Sequence, residues 1–288
     1  MYNHWATIDN QNYIFRQREV EILELPPGIY TIKATPKGIF FVKRMPQNLS
    51  ELVKFQNTDS DTIVNEIRSF WTKKELFKRH NFPFRRGILL YGPPGTGKSC
   101  SVKLIMEDVV KMGGLAIMFT APDVFRKAFE GLREIQPNTP VVTIIEDIDI
   151  WVDYESELTN LLDGHGAFEN VVVLATTNYL KDLPDTIKNR PSRFDKRIYI
   201  GTPNEKIRAD YIKHLLINSD FENKIDYSTW AAQTEGLTFA HIKELYLSVC
   251  FFDNKFDEAL LRLREMLSPV EDSPVEDPFV EFFVSNDS

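Results

Sequence analysis

The chain has 288 residues, a formal net charge of −8 and an ordinary globular composition, with room for one large domain or two modest ones. The charge is uneven: residues 268–288 hold Glu271, Asp272, Glu276, Asp277, Glu281 and Asp287 and no Lys or Arg, so the remainder is nearly neutral, which argues against broad electrostatic binding of duplex nucleic acid. Cys100 and Cys250 offer neither a disulfide framework nor metal-ligand spacing, the first residues (MYNHWATIDNQNYIF) lack a signal-peptide layout, and no apolar run nears the roughly 18–20 residues of a membrane span; a soluble, cytoplasmic chain with no membrane partner is expected.

In chain order, residues 13–44 alternate and are β-rich, and predict three or four short strands broken at Pro26-Pro27-Gly28 and Pro36-Lys37-Gly38. We read residues 1–60 as a small β-rich N-terminal module whose last stretch, 46–60, is a polar loop. DTIVNEIRSFWTKKELFKRH (61–80) predicts one helix, with Ile63, Ile67, Phe70 and Trp71 on one face.

From Gly87 the pattern alternates. GILLY, LAIMFT, VVTII, VVVLATT and RIYI read as strands; CSVKLIMEDVVKM, DVFRKAFEGLREI and ESELTNLLDG read as helices between them. This is the signature of an α/β fold, a parallel sheet flanked by helices, over residues 61–203. Residues 204–267 hold four predicted helices, a C-terminal lid. Residues 268–288 contain SPVED twice and then FVEFFV, an acidic tail predicted to be disordered and suited to act as a docking peptide.

The chemistry is concentrated in four places. GPPGTGKS (Gly92, Pro93, Pro94, Gly95, Thr96, Gly97, Lys98, Ser99) has the spacing of a P-loop and lies between a predicted strand and a predicted helix. Its glycines let backbone N–H groups wrap phosphate oxygens, and the following helix turns its positive end toward them. Lys98 would reach the outer phosphates of ATP, Ser99 would ligate Mg2+, and Cys100 follows directly.

The second place is Glu146-Asp147, at the end of VVTII. On a strand these side chains point to opposite faces and take separate tasks, Glu146 toward Mg2+ and Asp147 as the base that polarises the attacking water. The usual order of such a pair is Asp then Glu. Third, Asn178 ends a predicted central strand, where it holds the lytic water or serves as a turn residue. Fourth, Arg190 and Arg193 in RPSRFD suit stabilisation of a transferring phosphoryl group.

Together these residues resemble the AAA branch of the AAA+ ATPases, in order and spacing, over roughly residues 82–265. The wording of FRRGILLYGPPGTGKS, IIEDIDIW, LTNLLDG and ATTN is similar to the mitochondrial Rieske-protein translocase branch, which also writes Glu before Asp; the reversed pair is thereby a habit of that branch. The resemblance implies ring assembly, often hexameric, ATP between large domain and lid, Asn178 as first sensor, and Arg190 and Arg193 as fingers from a neighbouring subunit. EGLTFAHIKELY (235–246) resembles the family's stretch near the adenine and adds Gly236 and Ala240. The segment FTAPDVFRKAF is too short for the family's pore-loop signature; Phe119 and Phe125 lie there, with core packing the alternative role.

The function expected is a chaperone-like ATP hydrolase working on a protein substrate as a homo-oligomeric ring. Its rivals are a nucleic-acid-directed ATPase and an ATP-gated scaffold with negligible turnover.

Overall fold

The structure, a computed structural model, describes residues 3–7, 11–17, 24–44, 59–163, 168–190, 192–217, 219–222 and 224–267. The loop expected at 46–60 falls almost wholly outside them, as do the SPVED repeat and the rest of the tail with its expected docking peptide.

The strands are β1 (Asn3–Thr7), β2 (Asn12–Gln17), β3 (Gly28–Thr35), β4 (Gly38–Lys43), β5 (Arg85–Tyr91), β6 (Leu115–Met118), β7 (Val141–Ile145), β8 (Val171–Thr177) and β9 (Lys196–Tyr199). They form one sheet in the order β1-β2-β4-β3-β6-β7-β8-β5-β9. Strands β6 to β9 with β5 are parallel, as expected. The N-terminal strands, expected as a module of their own, are part of this sheet: β3 runs parallel to β6, from Gly28 opposite Leu115 to Thr31 opposite Met118, and β4, β2 and β1 continue in antiparallel register. The sheet is therefore mixed. Pairing β3 onto β6 covers a strand edge whose backbone groups would otherwise need other partners.

Two cores follow from the period-2 alternation of side chains. Leu89, Val141, Ile145, Val171, Val173 and Ala175 point to one face, where α4 (Pro122–Ile135) and α5 (Glu155–Asp163) cover them with Phe125, Phe129, Leu132, Leu158 and Leu162. Tyr13, Tyr30, Ile32 and Phe41 of the N-terminal strands join this same core. Ile88, Leu90, Val142, Ile144, Val172 and Leu174 point to the other face, under α1 (Asp59–Trp71) and α3 (Lys98–Lys111). Every residue of β7 and β8 is buried, so these strands read as continuous apolar runs.

The single helix predicted over 61–80 is two, α1 and α2 (Lys74–Arg79). Thr72 Oγ1 donates to the Ser69 carbonyl at 2.8 Å, a local bond that competes with helix continuation. The break lets Phe77 meet Phe70 (5.6 Å between ring centroids) and Phe84 (5.3 Å), both edge-on. Phe119 and Phe125 pack inward: Phe125 is fully buried, and Phe119 lies 5.0 Å from it and 5.1 Å from Trp151.

The short α6 (Asp185–Lys188) precedes β9. Beyond it, α7 (Glu205–Leu216), α8 (Tyr227–Gln233), α9 (Phe239–Cys250) and α10 (Phe256–Glu265) enclose a third core around Ile212, Trp230, Leu237, Ile242, Leu245 and Leu263. Asn204, Asp226 and Thr238 cap the first three of these helices through their side chains.

Candidate nucleotide site

The motifs converge because β8 lies between β5 and β7. Tyr91 pairs with Thr177 and Ile145 with Ala175, so the three chain segments that leave these strands emerge side by side at the carboxyl edge of the sheet. That edge is where parallel α/β sheets bind ligands. The segment after β5 is the predicted phosphate loop. Gly92, Gly95 and Gly97 have φ of 150°, 76° and 100°, values that favour glycine. At Gly92 a Cβ would also run into the Ile200 carbonyl. Gly97 is the N-cap of α3; it supplies no side-chain cap, and the first turn carries no acid. The helix thus presents its N-terminal N–H groups and positive end without an internal anion.

Lys98 is buried and donates to the carbonyls of Gly92 and Pro93, each at 2.7 Å. Burial pulls its pKa below the ordinary lysine value, and the charge of Asp147 opposes that shift. Thr96 Oγ1 ties the loop to the Pro93 carbonyl at 2.9 Å. Ser99 and Cys100 are exposed in the first turn of α3.

The acidic pair corrects the strand-based expectation of opposite faces. β7 ends at Ile145, and Asp147 has left-handed backbone angles, φ 47° and ψ 60°, so alternation does not govern the pair. The Asp147 N–H donates to Thr176 Oγ1 at 3.0 Å. This bond ties the end of β7 to β8 while leaving the Asp147 side chain exposed. Thr177 Oγ1 donates to Asp149 Oδ1 at 2.6 Å and accepts from the Tyr179 N–H at 3.0 Å, so it brackets Asn178. Thr176, Thr177 and Asp149 were not singled out from sequence. The signal was there in two hydroxyls beside Asn178 and a third acid after the pair, but their partners belong to different strands.

The two arginines have different surroundings. Arg193 is 6% exposed and makes a two-pronged pair with Asp163, Nε to Oδ1 at 2.9 Å and Nη2 to Oδ2 at 2.8 Å, with a further bond to the Thr186 carbonyl. Its expected role as a free finger meets a side chain already engaged within its own chain. The hydrogen bonds from Arg193 hold the Asp163 carboxyl below the usual range, burial opposing, and the charges of Arg193, Arg190 and Arg85 add to the shift. Arg190 is 59% exposed and lies 3.7 Å from Asp163. Both stand by the beginning of β5: Arg85 bonds the Ser192 carbonyl, and Asp195 accepts from the Gly87 N–H at 2.8 Å. The phosphate loop leaves the other end of that strand, about 20 Å away at ~3.3 Å per residue.

The lid closes on the loop through the start of α9. The Ala240 N–H approaches the Gly95 carbonyl at 3.4 Å, and a Cβ on Gly95 would lie 2.8 Å from both Ala240 Cβ and Thr238 Oγ1. Gly236 has φ 80° and open space around it; it turns the chain between α8 and α9, while Ala240 reaches the loop.

An open cradle of N–H groups, a buried lysine and an uncapped helix start suit a polyphosphate. The Ser99 hydroxyl and the Glu146 carboxylate are hard oxygen donors, of the type that would suit Mg2+. Fold and site together define a P-loop nucleoside triphosphatase.

Residues 88–202 match the family model described as "ATPase family associated with various cellular activities (AAA)". The chain is 26% identical to the proteasome-activating nucleotidase of Sulfurisphaera tokodaii, over 88% of this chain and 73% of that protein. It is 29% identical to the ATP-dependent zinc metalloprotease FtsH 2 of Thermoanaerobacter sp., over 63% of this chain and 39% of the relative. With the Cell division cycle protein 48 homolog of Archaeoglobus fulgidus the figure is 30%, over 59% of this chain and 26% of the relative. The chain thus spans well under half the length of these last two. Residues 88–202 thus form a domain of the AAA ATPases, a family whose members hydrolyse ATP. The likeness to the Rieske-translocase branch rests on the wording of the motifs. Among the described residues, no helix is long and apolar enough to cross a membrane.

Proposed function

We propose that the chain works as a homo-oligomeric ring ATPase that remodels, translocates or assembles a protein substrate. Backbone N–H groups of Gly95 to Ser99 bind the phosphates of ATP, and Lys98 leaves its two carbonyl partners for the outer phosphates. Ser99 and Glu146 hold Mg2+, which when bound neutralises phosphate charge. Asp147 accepts hydrogen-bond character from the attacking water and Asn178 orients that water. Arg190 of one subunit serves the site of the next, and Arg193 positions it by fixing the loop to Asp163. Loss of the γ-phosphate alters how the lid sits on Gly95, and the ring passes that change to the substrate.

The observation that carries this reading is the position of Arg190. An exposed guanidinium beside the beginning of β5 is roughly 20 Å from the loop at the strand's other end, beyond the reach of an arginine side chain. That position supports a role at a site on another copy rather than at its own loop. The known relatives support a protein-directed role: one is named for activating the proteasome and another as an ATP-dependent protease.

The test is steady-state ATP hydrolysis against protein concentration, with a mixing arm. Wild-type specific activity should rise with concentration, and Arg190→Ala and Asp147→Asn should each lose about 100-fold or more. Mixed, the two inactive variants should recover part of the activity, because some interfaces pair an intact site with an intact arginine. Recovery that never appears, alongside concentration-independent wild-type turnover, would sink the shared-site reading.

A further inference from the structure

Helix α2 has an exposed apolar side. Leu76 is 48% exposed and Phe82, just past the helix, is 66% exposed. With Phe77 and His80 they line an open cleft of about 290 Å³. Its floor is fixed: Phe77 packs edge-on against Phe70 and Phe84, and those two rings are stacked at 4.3 Å between centroids. Lys73, Lys74, Lys78 and Arg79 lie in the same short stretch, with Glu75 its one carboxylate, and Lys73, Lys78 and Arg79 are exposed. An apolar cleft with a cationic rim is complementary to a segment that joins large apolar side chains to acids.

The chain carries a segment of that kind. Residues 278–284, PFVEFFV, hold Phe279, Phe282, Phe283 and Glu281, and they follow Glu271, Asp272, Glu276 and Asp277. Residues 45–58, also outside the described ones, hold Glu51 and Lys54 and have no net charge to match the rim. We propose that residues 278–284 dock in the α2 cleft of the same chain. A phenylalanine enters between Leu76, Phe77 and Phe82, and the acids lie along Lys73, Lys78 and Arg79. The tether is long enough. α10 runs back along α9: the Asn254 N–H donates to the Ser248 carbonyl, and Arg262 reaches Glu244, one turn closer to the phosphate loop. The tail therefore starts toward the loop end of the lid, whereas α2 stands just before the other end of β5. Residues 268–277 extend up to ~33–36 Å, against about 20 Å for β5. A short tether also supplies an effective concentration of about millimolar, so one aromatic anchor with modest affinity suffices.

Amide exchange by mass spectrometry in the full-length chain tests this. In wild type, the amides of residues 76–82 should exchange about tenfold more slowly than in a variant carrying Phe279→Ser, Phe282→Ser and Phe283→Ser, while β5 and β8 exchange alike in both. Lys78→Glu with Arg79→Glu should lose the same protection, and adding Glu276→Lys, Asp277→Lys and Glu281→Lys should return it. A synthetic peptide of residues 268–288, at about millimolar, should restore protection to the triple Ser variant. Equal exchange in wild type and the triple Ser variant overturns the proposal, as does protection that survives the charge reversal. A mixing arm identifies whose tail is bound: the triple Ser variant, labelled with 15N, is combined with excess Leu76→Glu chain, which keeps its tail and lacks the cleft. Continued fast exchange in the labelled chain supports docking within one chain. Protection of the labelled chain would assign the contact to a neighbouring copy's tail and overturn it.

Discussion

Gly87 leaves no room for a side chain, because a Cβ there would collide with the Arg193 carbonyl. Its N–H is also taken by Asp195. This one glycine lets the arginine loop lie against the first residues of β5. Gly87→Ala should cost about 1–3 kcal/mol by overpacking against backbone, seen as a lower urea midpoint with unchanged slope. The Asp163–Arg193 pair has a pH signature. A depressed carboxylate pKa contributes stability that is full above the unfolded value, about 3.9, and is lost as pH falls through the lower folded value. Wild type should therefore lose stability below about pH 4 more steeply than Asp163→Asn, as thermal unfolding at stepped pH would show. Equal slopes would mean that the pair does not act as described. Lys98 and the glycines were legible from sequence, since a phosphate cradle needs those residues at that spacing. The different surroundings of Arg190 and Arg193 were not: both meet Asp163 of α5, and only packing decides that Arg193 is buried in a two-pronged pair while Arg190 stays exposed.

Among the elements, the joint between the N-terminal strands and the ATPase sheet was the least visible in sequence. The alternation over 13–44 identified strands but not their neighbour, since period-2 patterning sets faces and not pairing partners. One side chain fastens that joint near its edge: buried Gln136, at the end of α4, accepts from the Leu25 N–H at 2.9 Å and donates to the Leu25 carbonyl at 3.2 Å. Gln136→Leu removes both bonds and leaves two buried backbone groups unpaired. It should cost about 2–4 kcal/mol and speed amide exchange in β3 before β7 or β8. Uniform exchange across all strands would argue that the N-terminal segment and the ATPase sheet open as one unit. Deleting residues 1–44 uncovers the edge of β6 and the partners of Tyr30 and Phe41, so the truncated chain should aggregate in light scattering where the full chain does not. The split of the predicted 61–80 helix has the same kind of origin: Phe77 turns toward Phe84, a contact that the helical period could not anticipate.

For the whole molecule, the lid and the sheet domain have separate cores and meet at the phosphate loop through Gly95, Gly97 and the start of α9. A ligand held between them should join their unfolding. At 100 times its dissociation constant, ATP with Mg2+ should add about 2.7 kcal/mol to stability and sharpen melting into one transition. Lys98→Ala should abolish the shift, while Cys250→Ser, in the lid core away from the loop, should retain it. A shift of equal size in Lys98→Ala would place the nucleotide elsewhere.

The sequence by itself determined the fold class, the order of helices and strands from Gly87 onward apart from the short α6, the four C-terminal helices and the nucleotide motifs, because each is written in residues close along the chain: an apolar period, a cap, a glycine at a fixed offset. It did not determine which strands pair at the sheet edge, where the strand before the acids ends, or which arginine is buried against Asp163. Those depend on contacts between residues far apart in sequence: Gly28 against Leu115, Asp147 against Thr176, Arg193 against Asp163. Such contacts arise only when packing chooses among the partners that local patterns leave open, and that choice belongs to the tertiary structure.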